Sequence, residues 1–277
     1  MLINYLVDVD IIIDGVIYNS DNYSMQFSIS RYSYNTDNTA VVTIDYLSKE
    51  TRNTILEKAK LDGLTEGEES IKVSIMAGYK STGKGLIFYG TIAEAETTNT
   101  DGVKLTLMEG AKELSSEIIN KTFSPGTHLK EIVKNIMNIS NFGVGVIDCE
   151  DFVFTRGKTF SSTVKEALED LAGIVNAEVS VIKNVIYFVR KEYFESEVEV
   201  SAKNGLKSVT KKDYYYVAKM YFNNIMQENT KLKIKKGDGE ILDVIIRTVS
   251  HLFSKNKFET ILECDPLFEE ISEANDE

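Results

Sequence analysis

The sequence predicts a mainly β, α+β protein in which two β barrels flank a small α/β insert, and three observations carry that prediction. The first is a hairpin-like stretch, Ile71-Lys-Val-Ser-Ile-Met-Ala-Gly78-Tyr79 followed by Gly85-Leu-Ile-Phe-Tyr-Gly90-Thr-Ile92. Its first half alternates Ile71, Val73 and Ile75 with Lys72, Ser74 and Met76, the period-two pattern of a strand with one buried face. Its second half is almost wholly apolar or aromatic, as in a strand covered on both faces. The second observation is a set of short β-branched or aromatic runs, separated by turn residues, that fills residues 1–115 and returns over 198–266. The third is a switch to helical spacing between them, over 116–197.

Taken in order, Leu2 to Val9, Ile11 to Tyr18 around the turn Asp14-Gly15, Tyr23 to Tyr32 and Thr39 to Leu47 read as strands. Lys49 to Leu61 reads as a helix, ended by Asp62-Gly63 and a polar loop through Ser70. After the long hairpin, the pair Asp101-Gly102 introduces a cleanly alternating strand, Val103 to Met108. Five or more such strands with few prolines point to a closed or nearly closed barrel.

In the insert, Thr127 stands as N-cap after Pro125-Gly126, ahead of Leu129, Ile132, Val133, Ile136 and Met137 at helical spacing. Thr163 with Glu166 forms a capping-box pattern before Val164, Leu168, Leu171 and Ala172. Strands Ala177 to Ile182 and Val185 to Arg190 follow, across the turn Lys183-Asn184. Residues 198–266 read as strands Val198 to Ala202, Lys207 to Asp213, Val217 to Met226, Lys231 to Lys235, Ile241 to His251 and Phe258 to Cys264, with a turn at Gly237-Asp238-Gly239. Residues 267–277 read as an exposed acidic tail.

At 277 residues and 43% hydrophobic content, the chain is long enough for real cores. Forty-three acidic against 31 basic residues, a net charge of −12, argue against a nucleic-acid binder that works by neutralising phosphates. The amino end carries no basic residue and its apolar run is cut by Asp8 and Asp10, so it reads as a strand and not as a signal peptide or membrane span. Cys149 and Cys264 read as a reduced, cytoplasmic pair.

Little in the sequence carries chemistry. Gly78-Tyr-Lys-Ser-Thr-Gly83-Lys84-Gly85 comes close to a phosphate-binding loop, but Gly85 stands where a Mg²⁺-binding hydroxyl is needed, and a strand follows where a helix should begin. It reads as a solvated hairpin loop. His128 and His251 have no Cys or His neighbour at metal-ligand spacing. The acid clusters Asp8/Asp10/Asp14, Glu66/Glu68/Glu69, Asp148/Glu150/Asp151 and Asp265/Glu269/Glu270 read as solvated loops, because no pair is identifiable across a cleft and none has calcium-loop spacing. No nucleophile elbow or Cys/His pairing is present. Tyr214-Tyr215-Tyr216 with Tyr221 and Phe222 is the densest aromatic patch, and alternation would leave half of it for an interface. No catalytic, cofactor-binding or metal residue is assigned, and no cofactor.

The stretch Ala77-Gly78-Tyr79 with Ile87-Phe88-Tyr89-Gly90-Thr91-Ile92, the helix start Phe123-x-x-Gly126-Thr127, the helix lead Gly157-Lys-Thr-Phe-Ser161, and Val249-Ser250-His251 with Phe258-Glu-Thr-Ile-Leu-Glu-Cys264 are similar to the baseplate hub proteins of contractile phage tails. The chain most resembles the PBSX-type prophage and R-type bacteriocin hubs, related to late control protein D. The resemblance implies barrels of the tail-tube type and a non-enzymatic homotrimer whose six barrels form a pseudo-sixfold ring. That ring would join the sixfold tail tube to a threefold central spike. It implies as partners the tube protein, the spike protein, other baseplate or LysM-type proteins and the tape measure protein, with no specific nucleic-acid binding and no membrane segment. Assembly in the bacterial cytoplasm into a virion or tail-like particle follows from the same likeness. A ring closes through repeated contacts between different faces, which requires strand edges or arms left for a neighbour; Ile71 to Ile92 is the candidate arm.

Three other functions compete. A distal tube protein would need one barrel only, and a tail-associated peptidoglycan hydrolase would need an acid pair or a zinc triad. A carbohydrate-binding β protein would display aromatic platforms, and Trp is absent.

Overall fold

The computed structural model describes residues 7–33, 38–61, 71–191, 193–237 and 239–267. The elements in chain order are β1 (Val7–Ile13), β2 (Val16–Asn19), β3 (Ser24–Tyr32), β4 (Asn38–Asp45), α1 (Lys49–Leu61), β5 (Lys72–Tyr79), β6 (Gly83–Thr97) and β7 (Val103–Glu109). They continue with α2 (Ala111–Ser116), β8 (Ile118–Phe123), α3 (Leu129–Met137), β9 (Gly143–Asp148), β10 (Lys158–Thr163), α4 (Val164–Ile174), β11 (Ala177–Ile182) and β12 (Val185–Arg190). The last six are β13 (Ser196–Ser201), β14 (Leu206–Lys211), β15 (Tyr216–Tyr221), β16 (Thr230–Lys235), β17 (Ile241–Ser254) and β18 (Lys257–Pro266). The described residues divide into two compact units, one built from those up to Ser33, Thr39–Leu107 and those from Phe194 onward, the other from Asn38 and Met108–Tyr193.

The first unit is a single hydrogen-bonded ladder in the order β14-β15-β18-β17-β3-β4-β7-β6-β5-β1-β2, with β16 and β13 branching from β17. β17 makes this possible. Its first residues pair with β16, from Ile241↔Lys235 to Ile245↔Lys231, and beyond a register shift between Ile246 and Thr248 it pairs with β3, from Thr248↔Tyr32 to Phe253↔Phe27. A bulge re-aims a strand in this way, so one long strand serves two partners. The ladder carries two separate apolar cores. Val9, Ile11, Ile29, Val42, Ile44, Val73, Ile75, Phe88, Leu105 and Leu107 belong to one. Val200, Ala218, Met220, Leu232, Ile234, Val244, Ile246 and Leu262 belong to the other.

The mainly β class with small helices is as expected, but among the described residues the ladder does not close into a barrel: β2 and β14 are its ends, and β13 pairs only with β16. The hairpin β5–β6 is also not a projecting arm. β1 and β7 flank it, and Val73, Ile75, Ala77, Ile87 and Phe88 are fully buried. The apolar second half that distinguished it in the sequence is core packing. Only its far end differs, since β6 runs past the last β5 pair, Lys72↔Thr91, to Thr97.

The second unit contains the antiparallel pair β8–β10 and a three-stranded sheet in the order β11-β12-β9, with β9 parallel to β12. Helices α3 and α4 bury the stripes expected of them: Leu129, Ile132, Val133, Ile136 and Met137, and Val164, Leu168 and Leu171. The Thr163/Glu166 capping box forms on both sides, and Lys183 and Asn184 take positive φ of 52° and 68° in the turn between β11 and β12. Thr127 is not the N-cap of α3. That position belongs to His128, and the Thr127 hydroxyl donates to the Ser124 carbonyl at 2.7 Å. The Gly157 to Ser161 lead is a strand, β10; β8, β9 and α2 had no clear signal, being short, glycine-interrupted or only six residues long. The loop through Ser70, the Glu66/Glu68/Glu69 cluster, Asp238, Glu269, Glu270 and the acidic tail after Leu267 lie outside the described residues.

Candidate functional site

The glycines and lysine of the near phosphate loop have structural duties. A Cβ on Gly78 would lie 2.0 Å from the Gly83 carbonyl oxygen, and Gly83 itself takes φ +85° at the hairpin turn. Lys84 Nζ sits 2.6 Å from Asp10 Oδ2 and 3.0 Å from Asp8 Oδ1, and Asn19 Nδ2 donates to Asp10 Oδ1 at 2.5 Å. Desolvation works against the Lys84 charge, but the paired Asp10 and Asp8 carboxylates outweigh it and hold the ammonium above its ordinary range. Asp8 and Asp10 are therefore not in a solvated loop. They lie on β1, with Asp10 buried, and their charge is consumed inside the first unit.

The most deeply buried charges were not signalled by any motif. Arg31 on β3 and Glu228, ahead of β16, are both inaccessible to solvent, with Arg31 Nε 3.0 Å from Glu228 Oε1. That approach is too oblique for a hydrogen bond and is ionic. Arg31 also donates from Nη1 to the Ile87 carbonyl at 3.2 Å and from Nη2 to the Met226 carbonyl at 3.3 Å. In the second unit, Asn38 Nδ2 donates to Glu109 Oε2 at 3.1 Å and to the Val181 carbonyl at 2.9 Å, while Glu109 Oε1 accepts from the Lys183 backbone. Arg31, Asn38 and Glu109 thereby hold backbone in place.

The histidines act locally. His128 Nδ1 lies 2.8 Å from Asp151 Oδ2, and Asp151 Oδ1 accepts from the Lys130 backbone at 3.4 Å, so this carboxylate receives the start of α3. Desolvation pushes the Asp151 carboxyl up, and its bonds to His128 and Lys130 pull it back below the usual carboxylate range. His251 is buried beside Phe222, ring centroids 5.1 Å apart, with Nδ1 3.0 Å from Thr260 Oγ1. Both cysteines are buried and free, and burial raises both thiols. Among the described residues no group of three or more His, Cys, Asp or Glu side chains could hold a metal, and no helix is long and apolar enough to cross a membrane.

What remains is surface. Of the aromatic patch, Tyr216 is buried and Tyr214 and Tyr221 are exposed, at 88% and 59%. Phe222 turns inward and stacks on Phe258 at 4.0 Å, with Tyr79 edge-on to Phe258 at 5.2 Å. Burial raises the Tyr79 hydroxyl, against a hydrogen bond with the Phe222 backbone. These rings floor a groove of about 490 Å³, rimmed by Lys207, Tyr221 and Lys257. Lys207 Nζ stands 4.4 Å above the Tyr221 ring. The groove lies beside β14, one of the ladder's unpaired ends, and the opposite end, β2, exposes Val16 and Ile17. Unpaired strand edges with exposed apolar and aromatic side chains are places where another chain can add.

No curated protein matches the chain. Its fold is shared with solved tail proteins: a 43 kDa tail protein of prophage MuSo2 from Shewanella oneidensis (TM-score 0.61, 9% identity, 94% of this chain and 98% of that one) and a tail protein from Neisseria meningitidis MC58 (0.62, 9%, 94% and 97%). An Escherichia coli component of the type VI secretion system, described as similar to the T4 tail proteins gp27 and gp5, aligns with TM-score 0.59 and 10% identity over 94% of this chain and 77% of that one. At this identity the likeness is one of fold. Residues 6–212, well over half the chain, match the family model of the baseplate hub gp41. The chain belongs to the baseplate hub gp41 family, and its role is that of a structural hub of a phage-type tail.

Proposed function

We propose that three copies of this chain form the ring that joins a sixfold tail tube to a threefold central spike. The observation that carries this reading is the pair of separate apolar cores on one ladder, linked through β17 and β3. The first core is drawn from residues 1–115 and completed by Phe222, Phe253 and Phe258, and the second lies wholly within 198–266. Each would fill one module of the tail-tube type, with the α/β insert at 116–197, so three chains would supply six such modules. A tube protein needs one core per chain, and the second core speaks against that reading. Ring closure draws on the strand ends that the ladder leaves unpaired. The partners are the chain itself, the tube and spike proteins, and neighbouring LysM-type and tape measure proteins, in a particle assembled in the bacterial cytoplasm. The chain supplies no wall-cleaving activity of its own; a zymogram band from the purified protein would contradict this.

Deleting the gene in the producing cell tests the role. The expected result is loss of complete tails, with no tube joined to a spike, restored by the gene in trans. Complete tails in its absence would overturn the proposal.

A further inference from the structure

We propose that the free edge of β14 is the docking site of the chain's own acidic segment, residues 268–277. Three observations carry this. First, β14 is the last strand of its ladder and pairs only with β15 among the described residues, so one edge of its backbone lacks a strand partner. Second, the edge is basic in an acidic protein. Between Ala202 and Lys212 the chain carries Lys203, Lys207, Lys211 and Lys212 and no acidic residue, although the whole has a net charge of −12. Lys207 is paired with Glu259 at 3.4 Å, so the basic character of the edge rests on Lys203, Lys211 and Lys212. Third, Phe268-Glu-Glu-Ile-Ser-Glu-Ala-Asn-Asp-Glu277 carries five acids and no base, which is the complementary charge.

The strand register brings the two together. Lys211 is paired with Tyr216, and Tyr216 with Cys264, so β18 leaves the sheet in the same row as the basic end of β14. A position beside β14 lies three strand spacings from β18, about 14 Å. From Lys211 to Lys207 along the edge is a further ~13 Å. Ten residues reach about 33 Å, enough for both steps within one chain. Lysines on an edge already discourage indiscriminate pairing. An acidic segment held there would reserve the edge until a stronger partner displaces it. This goes beyond the hub reading, because it concerns the dilute single chain and is independent of the copy number in a particle.

Hydrogen exchange of the dilute full-length chain tests it. The amides of β14 that face the free edge are expected to exchange on the order of tenfold more slowly than in a full-length variant with Glu269→Gln, Glu270→Gln, Glu273→Gln, Asp276→Asn and Glu277→Gln. Lys211→Glu with Lys212→Glu, both exposed, should remove the same protection, as should 1 M salt, where charges are screened within about 3 Å. A synthetic peptide of residues 268–277 added to the neutralised variant should restore it. Equal exchange with and without the acids overturns the proposal. So does protection that grows with protein concentration, since the occupant would then be a second copy.

Discussion

Arg31 Nε lies 3.0 Å from Glu228 Oε1 with neither side chain reached by solvent, and the same guanidinium holds the carbonyls of Ile87 and Met226. One side chain on β3 thereby ties β6 to the loop before β16, across nearly 200 positions of sequence. The two cores of the ladder share this tie as well as the β17–β3 pairing.

Removing one member of such a pair leaves an uncompensated buried charge. Glu228→Leu or Arg31→Met should each cost about 3–5 kcal/mol, and the double replacement should recover much of the loss. Denaturant unfolding of the purified chain measures this. Single variants within 1 kcal/mol of the parent would show that the pair is not held in the folded chain.

Lys84 supplies a pH signature. Its folded pKa is raised, so its contribution is complete below the unfolded lysine value of about 10.4 and is lost as pH rises through the folded value. The stability gap between the parent and Lys84→Met should hold from neutral pH to about 10 and then narrow. A gap that widens with alkalinity would contradict the Asp8–Lys84–Asp10 arrangement.

The Thr163 hydroxyl oxygen accepts from the Glu166 backbone N–H, and the Glu166 carboxylate accepts from the Thr163 backbone N–H. Thr163→Ala should lower the stability of the second unit by about 1 kcal/mol. The first unit's unfolding should be unchanged. Exchange of the α4 amides reports the former; a loss confined to the strands of the first unit would refute it.

The parts of the fold that were legible were those with local periodicity. The α1 bounds, the β11–β12 hairpin with its Lys183-Asn184 turn and the Thr163 box need only neighbours in sequence, and they stand where the pattern put them. The ladder was not legible, because the pairing of β17 with β3 joins residues more than two hundred positions apart and no local pattern reports that. For the same reason Ile71 to Ile92 looked like an arm: its apolarity marks burial and cannot say which strands provide it. Arg31 and Glu228 belong to no sequence motif, and their pairing joins residues far apart in the chain. A lone Arg among alternating residues on a strand, at Ile29-Ser30-Arg31, was the single available sign, since it falls on the buried face shared with Ile29.

The central claim is tested most directly by electron cryomicroscopy of intact particles from the producing cell, counting copies of this chain at the tube's distal end. The account predicts three copies, each giving two modules to one ring between tube and spike; six copies, each giving one module to the tube, would contradict it.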